Sequence, residues 1–169
     1  MLGVYDNFPL NIHRTERFAT TLSTRILQQK LIQVLQEVNR TRVSSSDIAN
    51  PSLPDSALIF EIGLADGKNF NFIDKEEIKR VRNALRKDTL RAMDLFCAVR
   101  YCRDDKEKKT PLRFDYFMTR LVFSGESIEV QVFHERGPRY FSPEDLITFL
   151  TNEINKTSPK KILKMSETY

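Results

Sequence analysis

Residues 57–74, ALIFEIGLADGKNFNFID, constrain the fold of this chain more than any other stretch. Two runs rich in apolar and β-favouring side chains, Ala57 to Leu64 and Lys68 to Ile73, flank Asp66-Gly67. That pair tolerates the positive φ of a type I′ turn, so the segment reads as a β-hairpin. With a two-residue turn there, Ala65 pairs with Lys68, Gly63 with Phe70 and Glu61 with Phe72, and these side chains point away from Phe60, Ile62 and Leu64. Asp74 then stands as a helix N-cap, and Glu77 three residues on completes a capping box. A helix is predicted from Lys75 to about Arg103, with Ile78, Val81, Leu85, Ala92, Phe96 and Val99 on its inner stripe and Asp88-Thr89 marking a bend or an end.

The same order recurs downstream. Pro111 to Phe123 and Ser127 to His134 flank Ser124-Gly125-Glu126, a second hairpin in which Tyr116, Met118, Arg120 and Val122 share a face with Glu129, Gln131, Phe133 and Glu135. Ser142 and Asp145 repeat the capping signal, with Pro143 at the favoured first helical position, and predict a helix from Pro143 to about Asn155. Upstream, apolar residues at steps of three and four from Phe18 to Val38 predict a long helix over 15–41. Its opposite face carries Thr20, Thr21, Gln28, Gln29, Gln33 and Gln36, which cost less to desolvate than charges and so permit a second copy to pack there. Val43–Ser56, with its serines and prolines, and the charge run Asp104–Thr110 read as loops.

Together these elements predict an α+β fold. A four-stranded antiparallel sheet comes from two β-hairpins, each followed by a capped helix, with a long N-terminal helix packed on the sheet. Residues 1–156 form a single domain and 157–169 a basic, flexible C-terminal tail. Cys97 and Cys102 lie five apart, so their side chains diverge and neither a bridge nor a metal knuckle is expected. The opening MLGVYDNFPL lacks a basic n-region with a long apolar run, and no stretch approaches about 18 consecutive apolar residues. The expected setting is cytoplasmic, with no membrane.

Function is read from two clusters. The formal charge of +4 admits an anionic partner, but how the charges are grouped matters more than their sum. Lys75, Lys79, Arg82 and Arg86 follow steps of four, three and four, so they form one basic ridge on the helix after the first hairpin. Phe70, Phe72 and Phe133, with Tyr116, put flat rings on the sheet, bordered by Lys68 and Arg120. Rings flanked by cations suit a single nucleic-acid strand, because every base offers a π-face and every linkage a negative charge. The resulting expectation is a non-catalytic protein, without metal or cofactor, that binds single-stranded DNA or RNA. Two other readings compete with it. One is self-association as a homodimer through the helix over 15–41. The other is a divergent metal-dependent nuclease using Asp115 and Glu129, although Gln131 stands where such a site would carry a lysine and the two acids fall on opposite faces.

Overall fold

The computed structural model describes residues 1–44, 56–103 and 113–166. The chain runs β1 (Arg14–Thr20), α1 (Thr24–Val38), β2 (Arg42–Ser44), β3 (Ser56–Asp66), β4 (Asn69–Phe72) and α2 (Lys75–Lys87). It continues as β5 (Ala92–Arg103), β6 (Arg113–Ser124), β7 (Ser127–Arg136), α3 (Pro143–Asn155) and β8 (Leu163–Met165). All eight strands join one antiparallel sheet in the order β2-β3-β5-β6-β7-β1-β8, with β4 beside β3. The predicted four-stranded sheet is therefore corrected to eight strands, and the long N-terminal helix packed on it does not exist in that form.

Two misread segments supply β5 and β1, and the short strands β2 and β8 make up the rest of the difference. In residues 92–103, AMDLFCAVRYCR, burial alternates from Leu95 onward: Leu95, Cys97, Val99 and Tyr101 are buried while Phe96, Ala98, Arg100 and Cys102 are half-exposed. Ala92, Phe96 and Val99 also fit a helical step, but the period of two and the β-favouring Phe, Val and Tyr decide for a strand, which pairs with both β3 and β6. The predicted helix over 75–103 thus ends at the Asp88 C-cap, the expected break. Similarly, the segment Arg14–Thr20 is a strand paired with β7. Helix α1 begins only after Ser23, whose side chain accepts from the Ile26 N–H. A single helix over 15–41 is therefore corrected to a strand followed by a shorter helix, and the polar face drawn along it is not one continuous surface. Gln28 from the supposed outer face is fully buried and holds the Leu90 backbone, its amide donating to the carbonyl at 2.9 Å and its carbonyl accepting from the N–H at 2.8 Å.

The hairpins and the last helix form where expected. The first hairpin turns at Gly67-Lys68, one residue later than Asp66-Gly67, so Ala65 pairs with Phe70 and Gly63 with Phe72. Moving a turn by one residue shifts each partner by two, which keeps every side chain on its face. Helix α3 spans the predicted residues and carries the Ser142–Asp145 capping box. Of the expected loop Val43–Ser56, residues 45–55 lie outside the described residues, as do 104–110. Part of the predicted flexible tail is ordered: β8 pairs with β1, and Ile162 and Leu163 are buried.

One face of the sheet carries all three helices, and the core fills the space between. Phe60 of β3, Leu95 of β5 and Phe117 of β6 are fully buried there under Leu27 and Leu35 of α1, Val81 of α2 and Leu146 of α3. Burying side chains of this size contributes about 1.5–3 kcal/mol each. Cys97 points into this core, where burial pushes its thiol up to about 12, while Cys102 lies on the other face. Both cysteines are free, as their odd spacing on a strand requires.

Candidate binding face of the sheet

The face opposite the helices is only partly covered. Alternation along β4, β5, β6 and β7 sends Phe70 and Phe72, then Phe96, then Phe114, Tyr116 and Met118, and finally Phe133 to this open face, all half-exposed. The rings form a continuous row across the strands. Tyr5 lies 4.6 Å from Phe70, Phe70 5.6 Å from Phe96, Phe96 5.8 Å from Tyr116 and Tyr116 5.7 Å from Phe114, centre to centre. Phe70 and Phe72 are thus not roofed by a helix. They belong to a platform that includes Tyr5, Phe96 and Phe114, which the sequence reading did not select. Period-two alternation in 92–103 carries the missed signal for Phe96.

The arm formed by residues 1–13 crosses one end of this face. Gly3 donates to the Ala65 carbonyl and accepts from the Asp94 N–H, each at 2.7 Å, and the Tyr5 N–H donates to the Asp94 carboxylate at 2.7 Å. Asp94 is fully buried and also accepts from Nε and Nη2 of Arg120, at 2.7 and 2.8 Å. Phe8 lies 4.3 Å beneath that guanidinium. Arg120, expected to meet phosphate, is instead neutralised by Asp94 and spent on holding the arm. The arm ends at His13, whose N–H donates to the Val132 carbonyl at 3.0 Å and whose Nδ1 accepts from the His134 N–H at 2.8 Å. Its ring stacks on Phe133 at 4.7 Å and 10°, so Phe133 already carries an aromatic partner.

Arginines border what the arm leaves open. Arg40, held at φ +61° just after α1, sits 4.7 Å over Phe72. Arg136 sits 5.2 Å over Tyr116, and Arg100 of β5 stands directly opposite Phe114. Arg136 reaches this face through a β-bulge: Phe117 pairs with His134 but Tyr116 with Arg136, leaving Glu135 as the extra residue. The regular register expected from sequence would have put Glu135 beside Tyr116. Acids on this face among the described residues include Asp94, matched by Arg120, together with Glu61 and Glu129, the last met by Arg17 at 3.8 Å.

The basic ridge lies elsewhere. Ile78, Val81 and Leu85 anchor α2 in the core, so Lys75, Lys79, Arg82 and Arg86 are exposed in the helical layer, with the sheet between them and the rings. None of the four has an acidic partner among the described residues, whereas neighbouring Arg80 is bound to Glu77 and Asp66, each at 2.8 Å. Lys68 is exposed in the hairpin turn. The ridge and the platform, expected to make one surface, are two.

The helix-side face holds a second polar cluster. The fully buried Asp115 carboxylate accepts from the Tyr101 hydroxyl, from His134 Nε2 at 2.7 Å and from the N–H groups of Arg139 and Tyr140 at 2.7 and 3.1 Å. Tyr101 Oη in turn accepts from the Phe141 N–H at 2.9 Å. Burial, and then the carboxylate beside it, raise the Tyr101 phenol well above its usual pKa. With four donors Asp115 is satisfied, and its role is to tie the 137–141 segment to the sheet ahead of α3. Gly137, at φ +123°, is required there because a Cβ would collide with the Phe114 carbonyl and the Asp115 carboxylate. Asp115 and Glu129 lie on opposite faces, and no group of three His, Cys, Asp or Glu side chains suited to a metal occurs among the described residues. No described helix is long and apolar enough to cross a membrane. Comparison of the chain with family models, with curated proteins and with solved structures returns no match, so any functional reading rests on the open face itself.

Proposed function

We propose that this chain binds single-stranded nucleic acid on the open face of its sheet, without catalysing a reaction. The observation that carries the reading is the row Tyr5–Phe70–Phe96–Tyr116–Phe114, a line of half-exposed rings on the side of the sheet that no helix covers. Bases stacking on such rings contribute about 1–3 kcal/mol each, independently of sequence. Arg40 and Arg136 already lie over ring faces, and a guanidinium in that position keeps N–H donors free for phosphate.

Lys75, Lys79, Arg82 and Arg86 are too far round the molecule to touch the same nucleotides. Their part is the long-range field, which raises the encounter rate with a polyanion and fades with salt. Anisotropy titrations of a fluorescein-labelled oligonucleotide at several salt concentrations test the proposal. Micromolar or tighter binding at low salt, weakening linearly in log–log form, is expected. No binding at low salt overturns it.

A further inference from the structure

We infer that Phe114 and Tyr116 form a seat for one base, and that Arg100 and Arg136, on either side of it, hold the phosphates that flank that base. This rests on the single-strand reading above and assigns its phosphate contacts to Arg100 and Arg136 rather than to the basic ridge of α2.

Three observations meet at this point. The Phe114 and Tyr116 rings, two residues apart on β6, lie 5.7 Å apart and only 12° from parallel. That makes them the flattest pair in the row, since its other neighbours are tilted by 36° to 49°. Next, the strand register places one arginine on each side: Arg100 of β5 opposite Phe114, and Arg136 of β7 opposite Tyr116. With strands about 4.8 Å apart and two residues spanning about 7 Å, the two Cα atoms are roughly 12 Å apart, diagonally across the seat. Both side chains are long enough to reach toward its centre.

The third observation concerns the state of Arg100. Its Nε is shielded from solvent and has no hydrogen-bond partner. Other arginines near the sheet are matched to carboxylates: Arg120 to Asp94, Arg17 to Glu129, Arg80 to Asp66. A shielded donor left unmatched is unfavourable, and turning it out toward an incoming anionic oxygen relieves it. Of the anions that would do so, a phosphodiester fits best, because a stacking seat lies directly beside the donor. A free carboxylate would leave the rings unused.

The test uses the full chain with fluorescein-labelled oligodeoxyuridylate and oligouridylate of equal length, which differ only in the sugar, titrated at four salt concentrations. Arg100→Gln and Arg136→Gln are each expected to flatten the slope of log affinity against log salt by about one, and the double variant by about two. Phe114→Ala is expected to weaken binding by about 5- to 150-fold with the slope unchanged. Lys160→Gln, an exposed charge remote from the seat, serves as the control and is expected to change neither. Arg100→Lys provides a variant that keeps the charge but lacks the Nε donor; it is expected to retain the slope and lose affinity severalfold. If the wild-type chain binds while Arg100→Gln leaves both affinity and slope untouched, the seat is wrong and the broader reading stands. If the wild-type chain does not bind either oligonucleotide, both fall. Equal binding of the two probes assigns the site to the shared phosphodiester chemistry, and a preference identifies the sugar it favours.

Discussion

Arg136 stands over Tyr116, 5.2 Å from guanidinium carbon to ring centre, because β7 carries one residue more than β6 at that point. Glu135 is the residue displaced, so the bulge exchanges an acid for a cation beside the aromatic row. Arg136→Glu restores the charge that a regular strand would have placed there. It is expected to weaken oligonucleotide binding by more than Arg136→Gln does, beyond about tenfold at low salt, because repulsion is added to the lost contact. Loss of the exposed cation–π contact costs only about 0.5–1 kcal/mol of stability, so the urea midpoint should move little. Equal effects of the Glu and Gln variants would show that the arginine acts by packing and not by charge.

Phe96 lies mid-row, flanked by Phe70 and Tyr116, and Phe133 lies outside the row beneath His13. A base can reach Phe96 directly but must displace the His13 imidazole to stack on Phe133. Phe96→Ala is therefore expected to cost about 1–3 kcal/mol of binding free energy, and Phe133→Ala clearly less. Titration of both variants with the same oligonucleotide, after matching far-ultraviolet circular dichroism, checks the ranking. The reverse order would mean that the arm lifts when ligand binds.

Asp94 tests the arm. Its carboxylate is fully buried and holds Arg120 and the Tyr5 N–H together. Asp94→Ala leaves the Arg120 guanidinium unpaired against Phe8 and frees the arm, and is expected to destabilise the chain by about 3–5 kcal/mol in urea unfolding. Adding Arg120→Met removes the orphaned charge and should recover part of that loss. A double variant as unstable as the sum of the singles would show that the pair itself contributes nothing.

The sequence was readable where local chemistry decides the structure. Asp74 and Ser142 cap α2 and α3 as their side chains demand, and the alternation around Gly125-Glu126 fixes the faces of β6 and β7. Phe70 and Phe72 were placed on the correct face even though the turn moved by one residue, because that shift preserves parity. Residues 14–20 and 92–103 failed for a physical reason. Phe18 leads into the helical stripe of α1, and Ala92, Phe96 and Val99 suit either period, so a strand buried on one face and ringed with aromatics on the other mimics a helix. Those errors hid two of the eight strands, β1 and β5, and with them the distance between the basic ridge and the rings. The Glu135 bulge left no signature in the spacing, so the exchange of Glu135 for Arg136 could be seen only in three dimensions.

His13 links the arm to solution pH. Its Nδ1 must be unprotonated to accept from the His134 N–H, and the ring is packed on Phe133 with Arg139 and His134 nearby. Partial burial first, then the positive charge of Arg139 and the proximity of His134, hold its pKa below the usual 6.5. The unfolded chain therefore takes up a proton at higher pH than the folded chain does. The contribution of His13 is fully present above about pH 6.5 and is lost as pH falls through the lower, folded value. Asp66 titrates in a separate window: the hydrogen bond from Arg80 is the largest cause holding its carboxyl below 3.8, so its contribution is lost only in stronger acid. Between about pH 6.5 and 4.5 the two can be told apart. Thermal unfolding of the wild-type chain should lose stability more steeply across that interval than His13→Asn, whose amide oxygen can still accept the His134 N–H but does not titrate. Parallel curves for the two proteins would remove His13 as the source, and the same pH series read with a labelled oligonucleotide would show whether releasing the arm uncovers Phe133 for a base.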